Sequence, residues 1–211
     1  RGAYRGEGFV ESTDAWGHVR AEQGLLLSAT RRAGATSTQM DISEAHAQLN
    51  GAVQTAERLD QATRQAEAGA LQANLMQRKL ADSLDPKQGA HHPPQVNGQN
   101  ATQPNGQQRN GGDSVPSFNA PHIVLETPSH LSMTTPNSSV AFAGEHLHVT
   151  AQQDGQLSAK HSIAGISGDG AQWFTADGGA KVIAQNGNVS FQAHSDALEI
   201  LADQSLTLTA T

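Results

Sequence analysis

From Ile123 onward the chain alternates apolar and polar residues in short bursts, each closed by small or turn-forming residues, and the burst then recurs. Its anchors are Ile123, Leu131, Val140, Leu147, Leu157, Ile166, Phe174, Val182, Val189, Leu198 and Leu206, seven to ten residues apart. Alternation within each burst predicts a short β-strand with one buried face. Recurrence at a near-fixed period predicts a stacked repeat architecture. Leu198-Glu199-Ile200-Leu201-Ala202 followed by Leu206-Thr207-Leu208-Thr209-Ala210 is the clearest pair of copies.

Upstream the pattern changes three times. Residues 1–40 are punctuated by glycine, and the run Gly24-Leu25-Leu26-Leu27-Ser28-Ala29 predicts a strand within an N-terminal β segment. Over 41–84, apolar or small residues fall at alternating spacings of three and four: Ile42, Ala45, Leu49, Ala52, Ala56, Leu59, Thr63, Ala66, Ala70, Ala73, Leu80 and Leu84, interrupted at Gln77. That spacing predicts one long helix with a heptad seam. Asp41 and Glu44 fit a capping box at its start, and Pro86 stops it. Residues 85–120 are mostly Gln, Asn, Gly, Pro and His, a composition that predicts a flexible linker. The repeat proper occupies 121–211.

Composition narrows the arrangement. Aromatic residues make up 4% of the chain and glycine 21 of its 211 residues, so any core is thin. A single-chain β-helix using about three phrases per rung would be squat, at about 4.8 Å per rung. Three intertwined chains would pair every central strand and stack three copies of each apolar residue on the axis. The expected fold is therefore mainly β: an intertwined, trimeric, triple-stranded β-helix, or β-prism, with an N-terminal β segment and one long α-helix. Phe142, Leu147, Val149, Val182, Val189, Phe191, Leu198, Ile200, Leu206 and Leu208 are expected to form the axial core. His146, His148, Glu199 and Thr207 fall at outward positions, which points the two histidines at solvent.

The formal net charge is −7, giving no overall attraction to nucleic acid or an anionic membrane. Absent cysteine excludes disulfides and thiolate metal sites. No run reaches the roughly 20 apolar residues of a membrane span, and no signal peptide opens the chain. A start at Arg1 reads as part of a longer protein.

Candidate chemistry is sparse. The repeat holds two bases, Lys160 and Lys181, and eight acids, placed mostly in turns, where they serve solubility and protect strand edges. The pairs His91-His92 and His146-x-His148 lack the further ligands of a zinc site, although three copies of the second could ring one axial metal. Turning them inward needs a one-residue slip of register. Ser28, Ser129 and Ser195 lack the strained elbow of a serine nucleophile. Gly165-Ile166-Ser167-Gly168-Asp169-Gly170 precedes no helix and reads as a turn rather than a phosphate loop. No catalytic residue, metal ligand or cofactor site is expected.

Arg5-Gly6-Glu7-Gly8-Phe9, Thr13-Asp14-Ala15-Trp16-Gly17-His18-Val19-Arg20-Ala21, the leucine run at 24–29, and then Gln39-Met40-Asp41, Glu44-Ala45 and Gln48-Leu49 together resemble the shaft region of the VgrG family. The phrases after Ile123 resemble that family's C-terminal β-prism. This resemblance implies a homotrimeric, membrane-puncturing spike of a type VI secretion system, in transient contact with membrane. The spike would be cytoplasmic before firing and secreted through the apparatus. Its implied partners are a tube of Hcp rings, reached through base domains absent here, a PAAR-repeat tip protein, and an effector or effector adaptor. Leu206, Leu208, Ala210 and Thr211 are then expected to form the tip-docking face, because the chain ends in full repeat. The alternatives are a trimeric adhesin stalk or a phage tail-spike stalk. A carbohydrate-active β-helix would need a groove of aromatics and clustered carboxylates, which the composition disfavours.

Overall fold

In a computed structural model of the chain, the described residues are 8–32, 34, 38, 40–66, 74–103, 105–110 and 113–209. The chain divides into two compact units, Arg1–Asp169 and Gly170–Thr211.

The first unit is organised by a pair of parallel strands far apart in sequence. β1 (Leu25–Ser28) pairs with the strand Ile123–Glu126, in the register Leu25 to Ile123 through Ser28 to Glu126. Everything between them is an excursion that leaves and rejoins one small sheet. Side-chain alternation gives this pair two faces. Leu26 and Val124 pack with Leu49 and Phe118 on a buried cluster of Ile42, Ala45 and Leu84. Leu27, Ile123 and Leu125, on the opposite face, are exposed.

The excursion contains two helices rather than the single one expected over 41–84. α1 spans Ser43–Gln65 and α2 spans Asn74–Asp82. Asn74 Nδ2 donates to the Ala56 carbonyl at 3.2 Å, and Arg78 pairs with Glu57. In a continuous helix residues 56 and 74 would stand about 27 Å apart, so α2 folds back against α1. The physical reason lies in the seam: it is mostly alanine between Leu59 and Leu80, and Gly69 costs about 1 kcal/mol of helix propensity. With α2 lying against α1, Val53, Ala56 and Thr63 of α1 and Gln77 and Ala81 of α2 are buried. Seam positions Ala70 and Ala73 lie outside the described residues.

The helix start also departs from the capping box. Asp41 Oδ1 accepts from the Ser43 N–H at 3.0 Å, while Glu44 turns away to a two-pronged ion pair with Arg32 at 2.6 and 2.7 Å. Arg32 also donates to the Asp41 carbonyl at 3.3 Å. Proximity to the Arg32 guanidinium holds the Glu44 carboxyl below its ordinary range, and Glu44 in turn raises Arg32.

The stretch 85–120 is not a plain linker. After a short 3-10 turn at Pro86–Gln88 come β2 (His91–His92), β3 (Gln95–Val96), β4 (Gln99–Asn100) and β5 (Val115–Pro116); the strand Ile123–Glu126 is β6. β3 and β4 form a hairpin through Asn97 and Gly98, both at positive φ, and β2 pairs antiparallel with β5. Three anchors order this polar segment. Val115 and Ala90 are fully buried, and Ser117 N–H donates to the Ala90 carbonyl at 3.0 Å. Arg109 reaches the buried Asp41 carboxylate at 2.5 Å, an interaction spanning 68 residues.

Candidate assembly surface

Beyond Thr127 the chain is a run of extended segments separated by evenly spaced bends. Within the first unit the bends begin at 128, 136, 144, 152, 160 and 168, a step of eight residues. Within the second they begin at 176, 185, 194 and 203, a step of nine. Among the described residues, none of these extended segments pairs with another as a strand. The single chain is therefore poorer in β-structure than the mainly β expectation, because a ladder exists only where a second strand lies alongside.

The apolar residues of these segments are uncovered. In the first unit Phe142 is 91% exposed and Val149 90%, with Leu147 also open. In the second unit Val182, Val189, Phe191, Leu198, Ile200, Leu206 and Leu208 are all exposed, Leu208 at 86%. Ala210 and Thr211, the other two expected docking residues, lie outside the described residues, as do Arg5, Gly6, Glu7 and Gln39. Monomeric soluble proteins rarely display apolar side chains at this density, and such display marks an interaction surface.

Around 146–152 the alternate face has a different environment. His146 lines a cleft with Glu57, Asp60, Arg64, Asn74 and Arg78. Thr150 Oγ1 accepts from Gln77 Nε2 at 3.4 Å, and the Gln152 amide lies against Gly51 of α1. The Nε2 of His148 is buried with no hydrogen-bond partner. His146 stays exposed, as its outward position predicts, while His148 is half-buried rather than open to solvent. Gln77, read in the sequence as a break in the seam, is a buried contact to the repeat.

Chemistry in the ordinary catalytic sense is hard to assemble from these residues. The cleft of about 710 Å³ beside the β3–β4 hairpin is lined by amides, hydroxyls, His92 and a few small apolar groups, including Met40 and Val96, without a carboxylate pair. Among the described residues no group of three or more His, Cys, Asp or Glu side chains could hold a metal ion. No helix among them is long and apolar enough to cross a membrane. Glu126, a buried acid, is occupied structurally: it accepts from Ser28 Oγ, from Thr30 Oγ1 at 2.8 Å and from Gln48 Nε2 at 3.4 Å. It fastens the start of the repeat to β1 and α1. Sequence reasoning missed this latch because its donors lie 78 to 98 residues away.

Residues 1–63 match the family described as type VI secretion system Rhs element Vgr, and residues 110–211 match an uncharacterized protein family conserved in bacteria, DUF2345. Two spike proteins of the type VI secretion system of Pseudomonas aeruginosa, VgrG2a and VgrG2b, are each 30% identical to the chain over its full length. The chain spans about a quarter of the first (23%) and a fifth of the second (19%). Its fold matches the VgrG spike of the type 6 secretion system with a TM-score of 0.77 at 22% identity, covering 98% of this chain and 66% of that one. A structure of the Tle1 effector bound to the VgrG spike matches with a TM-score of 0.78, also at 22% identity, over 98% of this chain and 54% of that one. Two matched families in chain order, full-length similarity to spike proteins of that name and a shared fold lead to one assignment: the chain belongs to the VgrG family of type VI secretion spike proteins.

Proposed function

We propose that this chain is a shaft segment of a type VI secretion spike, a non-enzymatic structural part that acts as a parallel homotrimer. The observation that carries the reading is the exposure of the apolar side chains on segments that, among the described residues, pair with no strand. Three copies would supply what each lacks: neighbouring strands for the ladder and two symmetry mates for every axial side chain. Phe142, Leu147, Val149, Val182, Val189, Phe191, Leu198, Ile200, Leu206 and Leu208 would be those axial residues. A trimer bound by continuous inter-chain ladders resists axial load, because unwinding it requires many strands to separate together.

In the parent protein the segment would be exported through the type VI apparatus after assembly in the cytoplasm, and would meet a membrane only in passing. The effector seen on a related spike supports an effector or adaptor as a partner here. A PAAR-type tip protein would dock on Leu206 and Leu208 together with Ala210 and Thr211, and the exposure of the two leucines supports that role. The Hcp tube would be engaged by other domains of the parent.

Light scattering on the purified chain, joined to an export assay on the tagged parent protein, tests the reading. A three-chain mass and contact-dependent appearance of the parent outside the cell are expected. A folded, stable one-chain species, or unchanged export when the trimer is disrupted, overturns it.

A further inference from the structure

Asparagine is followed by glycine five times in the chain, at Asn50, Asn97, Asn105, Asn110 and Asn186. Such a pair modifies itself when the glycine nitrogen is free to reach the asparagine side-chain carbon, and the fold treats the five differently. Gly51 lies inside α1, where its N–H belongs to the helical ladder, and Asn50 Nδ2 stands 3.1 Å from His46 Nε2. Asn97 and Gly98 close the β3–β4 hairpin, their backbone fixed by the paired strands on both sides. At the third pair Gly106 N–H donates to the Gln103 carbonyl at 2.9 Å, and Asn105 Oδ1 accepts from the Gln107 N–H at 3.0 Å. Gly111, after Asn110, lies outside the described residues.

Asn186 is held by none of these means. It sits with Gly187 in the bend at 185–187, exposed, between extended segments that, among the described residues, pair with no strand. Gly187 has a φ of +113°, and a Cβ placed there would meet nothing within 4 Å, so its nitrogen is shielded neither by a side chain nor by a neighbour. We propose that Asn186 is a self-modification site, at which the chain turns asparagine into aspartate and isoaspartate with water as the co-reactant. The Gly187 nitrogen gives its proton to solvent base and bonds to Asn186 Cγ; the Cγ–Nδ2 bond breaks and the amide nitrogen leaves as ammonia. Water then opens the cyclic imide. Breaking the new Cγ–N bond gives aspartate; breaking the original peptide bond routes the backbone through Cγ and gives isoaspartate, one backbone carbon longer. Either product adds one negative charge. Val182 and Val189, the nearest proposed axial residues, flank the bend without including it, so the assembly proposed above leaves Asn186 in water. Bend spacing already differs by one residue between the two units, so the extra carbon is absorbed at the bend and the neighbouring segments keep their faces.

Peptide mapping of the native chain, aged in mildly alkaline buffer, tests the assignment. Trypsin cuts after Lys181 and meets no later lysine or arginine, so Asn186 travels in peptide 182–211 and Asn50 in peptide 33–58. Peptide 182–211 is expected to show the amide-to-acid mass change, placed by fragmentation at residue 186 rather than Asn188, and to accept a methyl group from an isoaspartyl methyltransferase. Conversion at Asn186 should exceed that at Asn50 by roughly tenfold or more, because Asn50 must wait for α1 to open locally. In urea the two should convert alike, and Asn186→Gln should abolish the signal from peptide 182–211. Equal conversion of Asn50 and Asn186 in the native chain overturns the proposal. So does a peptide 182–211 that stays unconverted in the native chain while the urea-unfolded chain converts.

Discussion

At Gly24 the backbone sits at a φ of +125°, and a Cβ there would stand 2.8 Å from Phe118 Cε2 and 2.9 Å from the His122 carbonyl oxygen. Both neighbours are fixed: Phe118 packs on the buried cluster with its ring edge-on to His122 at 5.5 Å, and the carbonyl is bonded to Leu25. Gly24→Ala therefore combines a strained backbone with an overlap that nothing flexible can relieve. It is expected to destabilise the first unit by roughly 2–4 kcal/mol, read as a lowered urea midpoint. A midpoint within about 0.5 kcal/mol of the parent would show that the excursion does not seat as described.

At the scale of elements, both ends of the helical excursion are pinned by titrating groups, and their signs agree. Burial holds His122 below its ordinary 6.5, where its Nε2 stands 3.1 Å from Ser83 Oγ just past α2. As pH falls through 6.5 the unfolded chain takes up this proton before the folded one does, so stability is lost. Glu44, held low by Arg32 at the start of α1, contributes stability that is complete above 4.5 and disappears as pH falls through its folded value. The melting temperature should therefore drop in two stages on acidification. The His122→Gln variant should lack the first stage and keep the second; a wild-type slope surviving in that variant would show that other groups are responsible. Local pattern made β1 and the beginning of α1 legible, because period two and period 3.6 leave direct traces in sequence. The turn back of α2 and the ordering of 85–120 left none. Those depend on Glu57 with Arg78 and on Asp41 with Arg109, pairs set by tertiary proximity across 21 and 68 residues. The same limit hid the outer face of the repeat: its alternation was readable, but not the helices that lie on His148 and Thr150.

For the whole molecule, the decisive comparison is between Ile200 and Thr207, one at a proposed axial position and one at an outward position. Ile200→Asp would place three carboxylates at one level of an apolar axis, where each loses hydration without gaining a partner. Thr207→Asp would leave its charge in water. The first variant is expected to shift the light-scattering mass from three chains to one, and the second to leave it unchanged; equal behaviour would refute the assigned register. The bends at steps of eight in one unit and nine in the other constrain how such a sequence can evolve. Losing or gaining a single residue inside an extended segment would exchange its apolar and polar faces, whereas one at a bend is absorbed there, as the two step lengths show, and a whole phrase gained or lost leaves every other phrase in place. Reach along such a repeat should therefore change by duplication and deletion of entire phrases, in discrete steps, while single residues come and go only at the bends.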